Sequence, residues 1–267
     1  MSVSGFNSKF SITHIGTATA VFEVDGVNIL TDPFFSPPEA TWDMGGGAIL
    51  KTPETVAMGL DRLPPINAVL LSHEDHPDNL DELGRQLLNG RHVFTTMDGS
   101  KNLAPRPGVA GMKPWETRDV ELGGKTFHIT ATPCQHLPGG ECIGFIFTCD
   151  DFGVSSDGKP NAIYFTGDTV YIDELRQIPE KFHIVAAVMN LGSAFAPLPT
   201  GPVQITMDGA QAARLFRDIK ADCLVPMHYE SWAHFTQYGK DLVQVFKDEG
   251  ISEKVRWLEP GKSVKIL

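Results

Sequence analysis

Residues 70–81 read LLSHEDHPDNLD, a stretch in which two histidines and several carboxylates follow a continuous apolar run. The run at residues 68–71 has no alternation of polar and apolar side chains, which predicts a strand that is buried on both faces. A strand end fixes the backbone, so the turn after it can hold several side chains in one place, as metal chelation requires. We therefore expect a metal-binding turn here. The alternative is a solvated, acidic helix start that Asp78 or Asn79 caps.

Three other predicted strands end in the same kind of side chain. The segments ATPCQH (131–136), YFTGDT (164–169) and VPMHY (225–229) place His136, Asp168 and His228 just after an apolar run. One histidine after a strand is most often structural. Four strand ends that each present His or Asp form a stronger pattern, because active sites of layered α/β proteins lie at strand ends. We expect these groups to meet at one edge of the fold.

Short strands and interleaved helices are predicted along the rest of the chain. A long irregular segment at 33–65 contains the glycine run 45–47 and is typical of a functional loop. The clearest helix is predicted at 207–219, with Thr206 as its cap. Further helices are expected at 80–88 and 242–246, and strands at 10–13, 20–24, 27–30, 68–71, 92–95, 120–122, 126–131, 144–147, 163–165, 184–189, 223–225 and 264–267. With no linker and no repeat, residues 1–267 are predicted to form one α/β domain with two packed sheets and helices outside.

Composition excludes several classes of partner. The net charge of −11 and the lack of any basic run argue against nucleic-acid binding, which needs clustered Lys and Arg. The N-terminus does not resemble a signal peptide, and no apolar run approaches the roughly 20 residues that cross a bilayer. The four cysteines form no CxxC pair, which predicts reduced thiols in a reducing compartment. We expect a cytoplasmic protein with a small-molecule substrate, no nucleic-acid or membrane partner, and an oligomeric state that the sequence leaves open.

In order and spacing these motifs resemble the metallo-β-lactamase superfamily over nearly the whole chain. The details resemble the branch that includes ascorbate-6-phosphate lactonase, in four segments: THIGTAT (13–19), LTDP (30–33), KPWE (113–116) and MHYESW (227–232). The resemblance implies an αββα sandwich, in which two mixed β-sheets pack face to face with helices outside. It also implies one or two divalent metals and hydrolysis of esters, amides or phosphoesters.

The cluster departs from the family pattern His-x-His-x-Asp-His. If one residue is inserted, His73 and His76 match the two histidines, Asp78 matches the aspartate, and Asn79 stands where the last histidine is expected. Without the insertion, Glu74 takes the place of the first histidine. We favour His73, because imidazole is the stronger zinc ligand.

On this alignment the resemblance implies two adjacent metal sites. One would use His73, His76 and His136, the other Asp78 and His228, with Asp168 bridging both. The amide oxygen of Asn79 is a poor zinc ligand, so the second site is expected to be weaker or empty. Histidine and aspartate ligands without a thiolate suit Zn²⁺, while Mn²⁺ and Fe²⁺ stay open.

The resemblance further implies that a metal-activated water attacks a carbonyl or phosphoryl centre. Asp78 is the candidate catalytic residue, which orients the water and passes its proton to the leaving group, unless it serves only as a ligand. Tyr229 or His234 could donate to the oxyanion, and Asp32 is expected to anchor its turn or a ligand histidine. The side chains expected to line the substrate pocket are Phe34, Phe35, Trp42, Glu230 and Trp232.

Three functions from different classes remain. The leading one is a lactamase- or lactonase-type hydrolase that opens a small cyclic amide or ester, since an aromatic loop suits a flat apolar ring. A phosphodiesterase is the alternative enzyme, although no basic cluster accompanies the motifs. The second class is a degenerate protein that binds metal without catalysis, and the third is an interaction domain on the same fold whose metal edge stays empty.

Overall fold

The computed structural model describes residues 5–43, 49–52 and 55–267, so the predicted glycine run at 45–47 lies outside the described residues. The strands are β1 (Phe10–Gly16), β2 (Thr19–Val24), β3 (Val27–Thr31), β4 (Thr41–Asp43), β5 (Ile49–Lys51), β6 (Ala68–Leu70), β7 (His92–Thr96), β8 (Val109–Met112), β9 (Thr117–Leu122), β10 (Lys125–Pro133), β11 (Ile143–Cys149), β12 (Asn161–Phe165), β13 (His183–Asn190), β14 (Phe195–Leu198), β15 (Gly201–Gln204), β16 (Leu224–Met227) and β17 (Ser263–Lys265). The helices are α1 (Glu82–Leu87), α2 (Met97–Asn102), α3 (Ile178–Lys181), α4 (Gly209–Asp218) and α5 (Gly239–Asp248). Among the described residues, no helix has the length and apolar character needed to cross a membrane.

The strands form two mixed sheets. The first has the order β17-β1-β2-β3-β6-β7-β8, and the second has the order β16-β13-β12-β11-β10-β9. In the first sheet β3, β6, β7 and β8 run parallel, and in the second β12, β13 and β16 do. The buried strand predicted at 68–71 is β6, which lies between two parallel neighbours. Such a position buries both faces of the strand, which explains its continuous apolar run.

Aromatic side chains fill the space between the sheets. The ring of Phe22 in the first sheet lies 6.3 Å from that of Phe147 and 5.9 Å from that of Phe165, both in the second sheet. Outside the second sheet, α4 and α5 pack on a separate apolar cluster that includes Phe216 and Phe246. A third cluster lies under α1 on the outer face of the first sheet. The predicted αββα sandwich is therefore confirmed.

Two predicted helix starts are wrong. The helix expected from residue 207 begins at Gly209, because the Asp208 side chain accepts the hydrogen bond of the Gln211 N–H. Thr206 does not cap it, since its hydroxyl accepts from the Ala194 N–H instead. The helix expected from residue 80 begins at Glu82, and Asp81 caps it. The reading of residues 78–79 as a helix cap is therefore wrong.

Two short hairpins flank the site. The predicted irregular segment 33–65 contains the antiparallel pair β4–β5, and a second pair, β14–β15, follows residue 194. The β14–β15 hairpin was not predicted from the sequence. Both pairs lie outside the two main sheets.

Candidate metal centre

The predicted site residues follow the carboxyl ends of strands from both sheets. His73 follows β6 in the first sheet, and His136, Asp168 and His228 follow β10, β12 and β16 in the second. Because these strand ends share one edge of the sandwich, the turns after them meet there. The structure brings together all six residues that were predicted as metal ligands, in two groups of three.

The first group consists of the imidazoles of His73, His76 and His136, each with one ring nitrogen within 4.8 Å of the other two. The Nδ1–H of His136 donates to the carbonyl oxygen of Ile205 at 2.8 Å, which leaves its Nε2 as the electron-pair donor. His73 Nε2 is buried and has no hydrogen-bond partner among the described residues. Imidazoles that are fixed at one nitrogen and open at the other are typical of metal ligands.

A hydrogen-bonded chain orients His73. Ser72 Oγ donates to Asp32 Oδ2 at 2.9 Å and lies 2.8 Å from His73 Nδ1. Because the Ser72 proton is directed at Asp32, the hydroxyl oxygen accepts from the His73 Nδ1–H, and Nε2 faces the centre. Asp32 therefore anchors the turn through Ser72, as the sequence predicts for this residue.

The second group consists of Asp78, Asp168 and His228, again with ligand atoms within 4.8 Å of one another. His228 Nδ1 lies 3.3 Å from Asp168 Oδ1, and its Nε2 lies 3.8 Å from Asp78 Oδ2. Neither ring nitrogen of His228 makes a hydrogen bond to a described residue, although the side chain is only 1% exposed. The Nδ2 of Asn190 donates to Asp168 Oδ1 at 2.7 Å and fixes that carboxylate.

Burial and mutual charge set the protonation of the centre. Burial, reinforced by the neighbouring imidazoles, lowers the pKa of His73 well below its usual value, and burial also lowers the pKa of His136. Burial acts to raise the pKa of Asp168, but His228 and the other imidazoles hold it well below its usual range. The same pairing raises the pKa of His228 although burial opposes it. The lowered pKa values of His73, His136 and Asp168 favour neutral imidazoles and an ionised carboxylate, the forms that bind a cation, whereas His228 must lose the proton that Asp168 stabilises before it can bind one.

Asp32 is the exception among the buried carboxyl groups. Burial, together with the nearby charge of Asp168, raises the pKa of Asp32 to about 8. Its hydrogen bonds from Ser72 and from Asn79 act in the opposite direction. A cation bound at the centre would further favour the ionised form.

The donor set fits a divalent transition metal. One group has three imidazoles, and the other has two carboxylates and one imidazole. Zinc, manganese and iron accept these ligands. The buried Nε2 of His73 has no hydrogen bond to a described residue, and the nitrogens of His228 face carboxylates at 3.3 and 3.8 Å, so a cation or water between these groups would satisfy them. These atoms, rather than the sequence pattern alone, support a metal at this edge.

The backbone of the site is constrained. Gly167 has φ +59°, and a Cβ there would lie 2.6 Å from the Ile143 carbonyl oxygen and 2.9 Å from Ser72 Cβ. Only glycine fits this turn, which brings Asp168 to the centre. His228 also lies in the left-handed region, with φ +54°, and such backbone strain is common at functional sites.

Glu74 and Asn79 belong to neither group. Glu74 accepts hydrogen bonds from Arg85 Nη2 at 3.1 Å and from Asn102 Nδ2 at 2.6 Å. This leaves His73, not Glu74, facing the other imidazoles. Asn79 Nδ2 donates to Asp32 Oδ2 at 3.1 Å, and its buried Oδ1 has no hydrogen-bond partner among the described residues.

A cavity of about 510 Å³ opens onto the two ligand groups. Its walls come from the β14–β15 hairpin, from β5 and from the start of the segment before α4, and no Lys or Arg is among the described lining residues. His234, one candidate oxyanion donor, lines it, whereas Tyr229 packs against Trp257. The apolar lining residues are Ile49, Leu50, Leu137, Ala194, Phe195, Ala196, Pro197, Leu198 and Ile205.

The residues predicted to line the pocket do not line it. Phe34, Trp42 and Trp232 pack against one another, with ring centroids 5.4–5.9 Å apart, in a cluster behind the cavity wall. Phe35 belongs to the core under α1, and Glu230 lines a separate small cavity. The sequence did not predict that β14 lines the cavity, because its residues, FAPL, show no alternation of polar and apolar side chains.

Several known proteins are similar to this chain in sequence. A model of the beta-lactamase superfamily domain matches residues 27–229. A metal-dependent hydrolase of Methanopyrus kandleri is 25% identical over 266 residues, which cover 94% of this chain and 98% of that protein. The N-acyl-phosphatidylethanolamine-hydrolyzing phospholipase D of Saccharomyces cerevisiae is 26% identical over 249 residues, which cover 87% of this chain and 49% of that protein.

A solved structure shares the fold. The isothiocyanate hydrolase from Delia radicum gut bacteria superposes with a TM-score of 0.76 at 23% identity, over 95% of this chain and 98% of that one. At this identity the likeness shows the fold alone.

Proposed function

This chain belongs to the beta-lactamase superfamily, and from that premise we propose that it is a metal-dependent hydrolase of small, uncharged cyclic esters or amides. The proposed metal is zinc, with manganese or iron as alternatives. The proposed ligands are the two groups of the metal centre: His73, His76 and His136, and Asp78, Asp168 and His228. A resemblance to the ascorbate-6-phosphate lactonase branch stays a prediction.

The residues that line the cavity support the proposed class of substrate. Its wall is mainly apolar, and its polar side chains are the imidazoles and carboxylates of the centre, with Thr206 and His234. Recognition of a phosphate group usually recruits Arg or Lys, and neither is among the described lining residues. A neutral lactone or lactam avoids placing a second anion beside Asp78 and Asp168, and its ring carbons suit the apolar wall.

A bound divalent metal would supply a Lewis acid that polarises the substrate carbonyl and lowers the pKa of water. The chain's own groups do the rest. Asp78, at the floor of the cavity, accepts the proton of the attacking water and passes it to the leaving oxygen or nitrogen. His234 faces the same cavity, and burial lowers its pKa, so its neutral ring offers one N–H to the developing oxyanion.

Phosphodiester hydrolysis is the second candidate. The yeast relative is a phospholipase D, an enzyme that cleaves a phosphodiester, and it matches most of this chain. Against it stands the absence of Lys and Arg among the described residues around the cavity.

A hydrolysis screen separates these activities. Protein freed of metal with a chelator is reloaded with zinc or manganese and tested on lactones, lactams and an aryl phosphodiester, with Asp78→Asn as the matched control. We expect lactone or lactam opening that Asp78→Asn lowers at least about 100-fold, because the amide keeps the shape but neither accepts the proton nor binds the metal as a carboxylate does. Faster cleavage of the phosphodiester would overturn the substrate class. Stable metal binding without hydrolysis of any substrate would overturn the enzyme assignment.

A further inference from the structure

Two partly exposed cysteines face each other beside the metal centre. β10 and β11 are antiparallel, with Thr132 opposite Gly144 and Pro133 opposite Ile143, so the next facing positions are Cys134 and Cys142. Directly opposed residues of antiparallel strands have Cβ atoms about 4.5–5.5 Å apart. A disulfide needs Cα atoms about 4.4–6.8 Å apart, and the antiparallel spacing, continued one position beyond the last pair Pro133–Ile143, falls in that range. Both thiols are free.

Both thiols contact the residues that form the centre. Cys134 Sγ donates to the carbonyl oxygen of Thr166 at 3.3 Å, and Cys142 Sγ donates to that of Asp168 at 3.2 Å. Cys142 Sγ also lies 3.6 Å from His73 Nδ1. The two S–H groups therefore hold both ends of the turn that presents Asp168.

The segment between the cysteines carries a third ligand. His136 follows Cys134 by two residues, and Leu137, which lines the cavity, comes next. A bond between the two sulfurs would close residues 134–142 into a ring that contains His136. A change in the backbone of that ring would therefore shift His136, one of the proposed ligands.

We propose that Cys134 and Cys142 form a reversible disulfide that weakens metal binding at the adjacent centre. The oxidant belongs to the class of low-molecular-weight disulfides, such as oxidised glutathione. One cysteine sulfur attacks it and forms a mixed disulfide, releasing one glutathione. The second cysteine sulfur then displaces the other glutathione. In total, two cysteine thiols and one oxidised glutathione give one protein disulfide and two reduced glutathiones.

Oxidation removes both S–H donors from the turn of Asp168. The carbonyl oxygens of Thr166 and Asp168 lose their thiol partners, and Cys142 Sγ moves away from its contact with His73. Residues that support metal ligands typically contribute about 10–100-fold to affinity. We therefore expect the disulfide form to bind zinc about tenfold more weakly.

The thiolate is the nucleophile in thiol–disulfide exchange, so the oxidation is run at mildly alkaline pH, and uncatalysed exchange sets an incubation time of minutes to hours.

The other two cysteines serve as internal controls. Cys149 is paired across the strands with Phe127, and Cys223 Sγ donates to the Val185 carbonyl oxygen inside the core. Neither faces a second cysteine in the sheet register.

Peptide mapping tests the disulfide without reference to metal or activity. The folded protein is incubated with oxidised glutathione, the remaining thiols are blocked, and a protease cleaves after Glu141, which lies between the two cysteines. We expect the peptides that contain Cys134 and Cys142 to stay joined until a reductant is added. Complete blocking of all four cysteines after prolonged oxidation would overturn the proposal.

Zinc titration tests the consequence. The affinity of the oxidised wild type is compared with that of the reduced wild type, with Cys134→Ser and Cys149→Ser as matched variants. The proposal expects the oxidised wild type and Cys149→Ser to weaken about tenfold, and Cys134→Ser to keep its own reduced-state affinity after oxidation. A disulfide without any change in zinc affinity would contradict it. The predicted change in zinc affinity rests on the proposed metal centre. If that proposal is wrong, the reduced protein will not bind zinc, and the peptide mapping will still decide whether the disulfide forms.

Discussion

Two histidines of this protein each lie between two aspartates, in opposite surroundings. On the surface of the second sheet, His128 Nδ1 lies 2.7 Å from Asp119 Oδ1 and its Nε2 lies 3.2 Å from Asp150 Oδ1. At the strand ends, His228 lies 3.3 Å from Asp168 and 3.8 Å from Asp78. The His128 side chain is 34% exposed, whereas that of His228 is 1% exposed.

The difference shows how a surface ion pair is told from a ligand set. Both nitrogens of His128 have hydrogen-bond partners, so the surface cluster is complete as it stands. The nitrogens of His228 are buried without hydrogen bonds to described residues, and three further imidazoles lie nearby. Composition alone does not separate the two clusters. Burial, the lack of hydrogen bonds at the His228 nitrogens and the neighbouring imidazoles do, because together they fit a bound cation.

The largest expected effect comes from Asp168→Ala. Asp168 lies beside His228 and its charge influences the imidazoles of the other group, so its loss should empty the centre. We expect metal content to fall below half and hydrolysis to fall at least about 100-fold. Asp119→Ala, in the surface cluster, is the matched control and should change neither. Metal analysis after purification without a chelator checks this, and full metal content in Asp168→Ala would break the comparison.

The next effect separates His73 from Glu74. We expect His73→Ala to weaken zinc binding about 10–100-fold, because Nε2 faces the other imidazoles. Glu74→Ala should instead lower the free energy of unfolding by about 1–3 kcal/mol, because Asn102 loses its side-chain acceptor and Arg85 loses the carboxylate, keeping only its bond to the backbone carbonyl of residue 74. Zinc titration and urea unfolding are run on both variants. Greater loss of zinc affinity in Glu74→Ala would show that the ungapped alignment is correct.

A smaller effect is expected at Asn79. The wild type should hold about one tightly bound metal per chain, because Asn79 donates to Asp32 and adds no imidazole to the second group. Asn79→His should raise affinity at the second group about tenfold where the ring is accommodated. Stoichiometry and melting temperature are recorded together on metal-free protein titrated with zinc. Two equally tight metals in the wild type would sink this prediction.

The smallest effect concerns the surface cluster and its pH dependence. Hydrogen bonds that the His128 ring donates to the carboxylates of Asp119 and Asp150 raise the pKa of His128 in the folded protein above that of the unfolded chain. The contribution of protonated His128 to the free energy of unfolding is therefore complete below the unfolded pKa of about 6.5. It is lost as the pH rises through the higher folded pKa. His128→Gln should lower the free energy of unfolding by at most about 1 kcal/mol near pH 5.5, because the groups are exposed. The loss should be smaller near pH 9, where the imidazole is neutral in the wild type. Urea unfolding at both pH values checks the sign, and an equal or larger loss near pH 9 would contradict it.

The strand ends of the site could be predicted from the sequence because buried strands have continuous apolar runs. His136, Asp168 and His228 each follow such a run within three residues, so their meeting at one edge followed from sheet geometry. The prediction that His73 rather than Glu74 faces the centre rests on ligand chemistry alone, and no sequence pattern indicates what holds Glu74 away. That choice depends on Arg85 and Asn102, which bind Glu74 from positions 11 and 28 residues further along the chain.

The cavity wall was also beyond sequence patterns. The β14–β15 hairpin has prolines opposite each other, Pro197 and Pro202, and shows no strand periodicity. The aromatic residues Phe34 and Trp232 gave a pocket signal but pack against each other. Likewise, Thr206 and Asp208 are both suitable helix caps, and a tertiary hydrogen bond from the Ala194 N–H to Thr206 decides between them.

X-ray absorption at the zinc edge, on reduced protein loaded with one equivalent of zinc, tests the central claim most directly. The buried cluster predicts a zinc shell of nitrogen and oxygen only, at about 2.0–2.2 Å, with the outer scattering of several imidazoles. His128→Gln should give the same spectrum, because the surface cluster takes no part. A sulfur neighbour at about 2.3 Å, from Cys134 or Cys142, or a shell without imidazole would contradict the account.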